Sequence, residues 1–234
     1  MEQQIREQGF TIVNDIYTAE EVKEMLTAIH QADSSRSTFR QTDDLFAIRQ
    51  ALKEIPSLSP IIFNYRLKTL IKEVFGGRYF VVKSIYFDKP GKSNWFVAWH
   101  QDLTISVKEK TDVEGYGPWT VKQDQYAVQP PLSILEQNFT IRIHLDDTND
   151  QNGALKVVPG SHKKGIYRPE TINWQEETAV SCPVPQGGIM IMKPLLLHAS
   201  GRTLNEKNRR VLHIEFSQTS LPEPFQWAEK TTTI

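Results

Sequence analysis

The sequence predicts an α+β fold in which amino-terminal helices support a β-sandwich or jelly roll. Apolar residues recur at helical spacing only in the first third of the chain. From Tyr79 onward, short β-rich runs alternate with turn residues. The composition adds that one core suffices: 234 residues with 39% hydrophobic and 10% aromatic content lie within the range of a single domain. We therefore expect one domain over 1–234, with 1–78 as mainly helical support and 79–217 as the β core.

In order along the chain, the opening MEQQIREQGFTIV is charged and has no apolar stretch, so no ordinary secretory signal peptide is expected. Thr18 with Glu21 matches a capping box, and Val22, Met25, Leu26 and Ile29 then form one apolar helical face. A second helix is signalled by Ser59 at its cap and Pro60 in its first turn. Its apolar residues Leu67, Leu70, Ile71 and Val74 are in phase, and Gly76-Gly77 is the stop. Strands are predicted over 79–87, 139–145, 155–158, 188–193 and 210–216. Between 103 and 131 lie Gly115, Gly117, Pro118, Pro130 and Pro131 with little periodicity, which predicts a long loop. Its Gly115-Tyr116-Gly117-Pro118-Trp119 stretch combines backbone freedom with apolar surface, a composition suited to a lid over the metal pocket, the alternative being a surface excursion with Trp119 packed into the core.

Charge and cysteine usage narrow the partners. Twenty-seven Lys plus Arg against 28 Asp plus Glu give a net charge of -1, so no global field draws the chain to nucleic acid or anionic membrane. No run of basic residues marks a CoA or nucleic-acid site. The longest apolar stretches, such as 194–197, fall far short of the ~20 residues that span a bilayer. The single Cys182, between Ser181 and Pro183, has no internal disulfide partner, which fits a reducing cytoplasm. A small molecule recognised locally is the expected partner, and oligomeric state has no signature in the sequence.

The sharpest local feature is Trp99-His100-Gln101-Asp102. On an extended chain, H-x-D spacing puts His100 and Asp102 on the same side. A third ligand must come from far along the chain, and His198 in LLLHAS stands near the end of a predicted strand. Two imidazoles and a carboxylate on one face of an ion are the donor set of non-haem iron(II) oxygenases, with zinc the competing metal. H-x-D alone is common by chance. The other histidines are weaker candidates: His30 falls on a helix, His162 follows a Pro-Gly turn, and His144 and His213 lie inside strands without a carboxylate read at chelating spacing. Shortly after His198 comes Arg209, whose guanidinium fork suits a carboxylate. With Glu206, Lys207, Asn208 and Arg210 it also reads as an exposed charged turn. Asn152, Gly153, Pro159 and Gly160 are explained by turns, and Trp95, Phe96 and Trp99 by core or pocket wall.

Taken together, WHQD, LDDTNDQNGALKVVPGSHKKG and LLLHASGRTLNEKNRR resemble the phytanoyl-CoA dioxygenase family of iron(II)- and 2-oxoglutarate-dependent oxygenases. The resemblance covers 79–217, and EQGFTIVNDIYTAEEV is similar to the family's amino-terminal helix and strand. It implies a double-stranded β-helix, the cupin-like form of jelly roll. It also implies iron held by His100, Asp102 and His198, Arg209 on the distal carboxylate of 2-oxoglutarate, and Ser200 assisting there. Gln101, Ile85 and Arg142 fall at positions similar to cosubstrate neighbours. Arg142 replaces an aromatic of some members, and it reads equally as a partner for an anionic group of the substrate or as an exposed strand residue. The implied activity consumes O2 and 2-oxoglutarate, releases succinate and CO2, and hydroxylates an unactivated C–H bond of a small metabolite. Asp102 favours hydroxylation over halogenation. The family name does not make phytanoyl-CoA the substrate. Two rivals stand beside this reading: a cupin-type zinc or manganese hydrolase or isomerase, and a non-catalytic jelly-roll binding module.

Overall fold

Local capping chemistry sets the helices of the first third. A computed structural model describes residues 1–42, 46–122 and 125–233. α1 (Glu2–Gln8) ends on Gly9 and runs into β1 (Phe10–Val13). α2 (Ala19–His30) opens on Thr18, whose side chain accepts from the Glu21 N–H while the Glu21 carboxylate accepts from the Thr18 N–H. β2 (Phe39–Gln41), β3 (Phe46–Arg49), α3 (Ala51–Glu54), α4 (Leu58–Ile62) and α5 (Tyr65–Phe75) follow. The one helix expected from Ser59 is therefore two. Asn64 Oδ1 accepts from the Leu67 N–H at 2.9 Å, satisfying an orphan donor and starting a fresh helix that Gly76 closes.

The remaining elements are β4 (Phe80–Lys89), β5 (Val97–His100), β6 (Ile105–Val107), β7 (Trp119–Lys122), β8 (Gln125–Val128), α6 (Leu132–Gln137) and β9 (Phe139–His144). After them come β10 (Leu155–Val157), β11 (Val180–Cys182), β12 (Ile189–Met192), β13 (His198–Ser200), β14 (Arg209–Ser217) and β15 (Thr231–Thr233). An eight-stranded antiparallel sheet has the order β1-β12-β9-β14-β4-β3-β2, with β15 also on β4, and a four-stranded sheet has the order β11-β10-β13-β5. Leu155 and Val157 of the smaller sheet pack with Met190 and Met192 of the larger one, giving the two-layer core of a jelly roll. Among the described residues, β1, β2 and β3 enter the large sheet, so the support before residue 79 is not helical alone.

The large sheet is buried on both faces, and the faces differ. Phe139, Ile141, Ile143, Leu212, Ile214 and Phe216 pack against Val22, Met25, Leu58 and Leu67 of the helices. Strand alternation turns Thr140, Arg142, His144, His213 and Glu215 to the other face, where they too are buried. A buried polar face must satisfy its groups, and that face is the floor of the site.

The segment 103–131 is not a structureless loop. β6, β8 and β7 form a three-stranded sheet in that order. Ile105, Val107 and Val128 build a second core with Phe225 and Trp227 from the carboxy-terminal segment. Tyr116 and Trp119 lie on Phe225, with ring centroids 4.6 Å and 5.9 Å away, so the aromatic surface expected of a lid is spent on packing. Among the described residues, no helix is long and apolar enough to cross a membrane.

Candidate functional site

Strand register brings the distant histidines together. β13 lies beside β5 with His198 opposite His100, and the ring centroids are 4.2 Å apart. The Asp102 N–H donates to the Pro194 carbonyl at 2.9 Å, which holds the next carboxylate beside them. Nε2 of His100 is 3.9 Å from Asp102 Oδ1, and Nε2 of His198 is 3.9 Å from Oδ2. Each Nδ1 lies 2.8 Å from a backbone carbonyl, that of Ala98 or Leu196. The proton therefore sits on Nδ1 and Nε2 presents its lone pair.

Burial pushes His198 down to about 4, which keeps it neutral at physiological pH. For Asp102 burial acts upward, but His198, His213 and Lys83 more than offset it and hold the carboxyl well below its usual range. Asp102 Oδ2 is buried without a hydrogen-bond partner. Two Nε2 lone pairs and an ionised carboxylate meeting at one point form a donor set for a divalent cation, so these residues fit the metal their spacing suggests.

Asp102 also converges with His213 and Glu215, their ligand atoms lying within 4.8 Å of one another. That set is already engaged. Arg142 Nη1 donates to His213 Nδ1 at 3.1 Å, His213 Nε2 lies 3.1 Å from Glu215 Oε1, and Lys83 Nζ donates to the same oxygen at 2.8 Å. The result is a buried chain, Arg142-His213-Glu215-Lys83, running past Asp102. Sequence reading passed over it, although His213-Ile214-Glu215 repeats the spacing of His100 and Asp102.

The two adjacent arginines part company because strand neighbours face opposite ways. Arg210 turns out and makes a bidentate pair with Asp146 at 2.5 Å and 2.9 Å. Arg209 turns in and is buried, with Nη1 donating to the Gly153 carbonyl at 2.7 Å and Nε unpartnered. Gly153 has φ +85, and a Cβ there would stand 2.7 Å from the Gly201 carbonyl, so only glycine suits the turn that aims this acceptor. Arg142 is buried as well, which removes its reading as an exposed residue. Among the described residues neither Arg142 nor Arg209 has a carboxylate partner. Burial pushes Arg142 down to about 10 and Arg209 down to about 9.

Arg142 Nε, His144 Nε2, Ser200 Oγ and Arg209 Nε are all buried and unpartnered. They share one region: burial first, then the charges of Arg142 and Arg209, push His144 well below its ordinary value, and Ser200 shares the strand face of His198. Buried polar atoms are almost always satisfied, so a cluster of orphans that includes two guanidiniums without a carboxylate among the described residues describes a cradle for an anion.

Two other expected neighbours take different roles. Gln101 faces away from His100 and Asp102, and its amide is spent on backbone: Nε2 donates to Gly165 at 2.9 Å and Leu195 at 2.6 Å, and Oε1 accepts from the Tyr167 N–H at 2.8 Å. This supports a scaffolding role for its amide. Gln101→Ala should lower unfolding stability by about 1–3 kcal/mol and leave 2-oxoglutarate affinity unchanged, measured by thermal unfolding and titration of one preparation. Ile85, opposite His213 in β4, offers only apolar surface. Of the aromatics near His100, Trp99 packs on Trp174 at 5.2 Å, whereas Phe96 is exposed under the Arg202 guanidinium. Cys182 is buried and free, and burial pushes its thiol up to about 12, as befits a structural residue.

Comparison with known proteins places this arrangement. The protein named "Probable alpha-ketoglutarate-dependent hypophosphite dioxygenase" of Stutzerimonas stutzeri is 21% identical over 241 residues, covering 90% of this chain and 75% of that protein. Ectoine dioxygenase of Bordetella parapertussis is 24% identical over 167 residues, 68% of this chain and 47% of that one. Phytanoyl-CoA dioxygenase domain-containing protein 1 of Danio rerio is 27% identical over 107 residues, a match spanning only 37% of its length. Among solved structures, EctD from S. alaskensis with 2-oxoglutarate and 5-hydroxyectoine superposes with a TM-score of 0.70 at 17% identity, covering 92% of this chain and 74% of that one. The epimerase SnoN with Fe3+, alpha ketoglutarate and nogalamycin RO does so with a TM-score of 0.70 at 15% identity, covering 99% and 94%. These likenesses show the fold. Residues 5–211 match the family model described as phytanoyl-CoA dioxygenase, and the chain belongs to that family.

Proposed function

We propose that the chain is an iron(II)- and 2-oxoglutarate-dependent dioxygenase that hydroxylates an unactivated C–H bond of a small molecule, releasing succinate and CO2. One observation carries this: a His-Asp-His donor set stands near two buried guanidiniums that have no carboxylate partner among the described residues. A metal and a dianion would satisfy both at once. His100, Asp102 and His198 hold the iron. Arg209, with Ser200 beside it, takes the distal carboxylate of 2-oxoglutarate. Arg142, whose Nη1 donates to the His213 that converges with Asp102, borders the cosubstrate. Iron supplies the activation of dioxygen. The protein supplies aim and dryness: fixed Nε2 atoms, a guanidinium that donates to a glycine carbonyl and has no carboxylate partner among the described residues, and a floor of buried side chains.

A hydrolase or isomerase would use the donor set but leave both arginines without purpose, and a binding module would not need the open set at all. The names of the relatives, dioxygenases of hypophosphite and ectoine, support an oxidation of a small molecule. The lone, buried Cys182 supports a reducing, cytoplasmic setting. The test is succinate release across a panel of small metabolites, with product mass. The expected result is substrate-stimulated succinate with one added oxygen in the product. Conversion of a panel member without consumption of 2-oxoglutarate would favour the hydrolase or isomerase.

A further inference from the structure

Beside the triad lies a cavity of about 550 Å3, within the range of small-molecule sites. Lys83 and Thr104 both line it and tie it to the metal centre. Thr104 follows Asp102 in the chain, and Lys83 Nζ is 2.8 Å from the Glu215 oxygen that converges with Asp102. The sheet formed from 103–131 supplies much of one wall. The charge of the lining is one-sided. Among the described residues it carries Arg49, Lys53, Lys83 and Lys108 against one carboxylate, Glu229. The chain is close to neutral overall, so this is a local concentration, and it left no basic run because the cations come from β3, α3, β4 and the residue after β6.

The pairing within the wall decides which charges remain. Lys83 is neutralised by Glu215. Glu229 is occupied by Ser84, whose N–H and Oγ donate to it at 2.8 Å and 2.6 Å. Lys108 donates to Gln226 at 2.8 Å. Arg49 is half-buried and has no carboxylate partner among the described residues, and Lys53 at the rim donates only to Gln50, at 3.1 Å. A half-buried guanidinium is partly stripped of water, and Arg49 with Lys53 is a fork and a point charge of the kind that binds oxyanions. Ile85 and Tyr126 give the cavity apolar surface, and strand register sets Ile85 between Arg49 of β3 and His213 of β14.

Resting on the oxygenase reading of the triad, we propose that this cavity is the substrate site and that it selects a small organic acid. A carboxylate or phosphate is held at Arg49 and Lys53, and the carbon skeleton lies along Ile85 and Tyr126 toward the metal centre.

The test is calorimetric titration of the full chain, saturated with 2-oxoglutarate, with three probes of similar size: 3-phenylpropanoate, 2-phenylethyl phosphate and the neutral 3-phenylpropanamide. At least one acid should bind about tenfold or more tightly than the amide, and the tighter acid distinguishes carboxylate from phosphate. Arg49→Gln should weaken the acid roughly tenfold and Lys53→Gln about threefold, with 2-oxoglutarate affinity unchanged. Should Arg49→Gln fail to fold, Lys53→Glu at its exposed position carries the test, with a loss of about tenfold expected. The proposal falls if no acid outbinds the amide, if the variants bind acid as the parent does, or if excess 2-oxoglutarate displaces the acid. Failure of the oxygenase reading shows separately, as absence of 2-oxoglutarate binding before any probe is added; acid selectivity is then read without it.

Discussion

His198→Ala should abolish iron(II) binding in the presence of 2-oxoglutarate. His198 is the more buried of the two facing imidazoles, its Nδ1 is tied to the Leu196 carbonyl, and its Nε2 faces Asp102 with no hydrogen bond among the described residues. Losing a ligand removes more than the ~10–100-fold that changes behind the ligands usually cost. Anaerobic titration of iron(II) with 2-oxoglutarate, followed by the weak visible band of the chelate, measures it. His100→Ala should behave alike. His213→Ala should keep the band, because both of its nitrogens already face Arg142 and Glu215. Retention by both triad variants with loss in His213→Ala would transfer the metal to the second cluster.

Arg209→Ala should weaken 2-oxoglutarate by about tenfold to a hundredfold, since a buried carboxylate loses a charge-assisted fork worth roughly 1.5–3 kcal/mol. Iron affinity should change far less. Arg210→Ala should leave the cosubstrate alone and cost about 1 kcal/mol or somewhat more through its partly buried pair with Asp146. Thermal unfolding gives a second readout. Cosubstrate at a hundredfold its dissociation constant stabilises the parent by about 2.7 kcal/mol, and at the same concentration Arg209→Ala should lose most of that gain. The opposite pattern, with Arg210 controlling affinity, would mean that the facing of β14 is misassigned.

The contrast between these two arginines shows where sequence reading stops. RR at 209–210 is symmetric as text, and only the register of β14 against β4 and β9 decides which guanidinium enters the interior. The cluster of His100, Asp102 and His198 was easier, because H-x-D is a local pattern and LLLHAS ends a strong apolar run. Arg142 entered only through the resemblance, and the roles of His144, His213 and Glu215 stayed hidden for a physical reason. In F-T-I-R-I-H the polar residues alternate with apolar ones, which reads as the wet face of a one-sided sheet, yet this sheet is covered on both sides. Among the elements, α2 and the longer strands carried their own signals in a capping box and sustained alternation. The small sheet within 103–131 did not: three- and four-residue strands are too short to show a period, and their stability comes from Phe225 and Trp227 far along the chain. The basic cavity was equally invisible, its cations being scattered over four elements.

The most direct measurement is a diffraction experiment on crystals grown anaerobically with iron(II) and 2-oxoglutarate, with an anomalous difference map at the iron edge. The expected result is one peak bonded to Nε2 of His100, Nε2 of His198 and the Asp102 carboxylate, with the distal carboxylate of 2-oxoglutarate on Arg209 Nε and Ser200 Oγ. A peak among Asp102, His213 and Glu215 instead, or density for 2-oxoglutarate away from Arg209, would contradict the account.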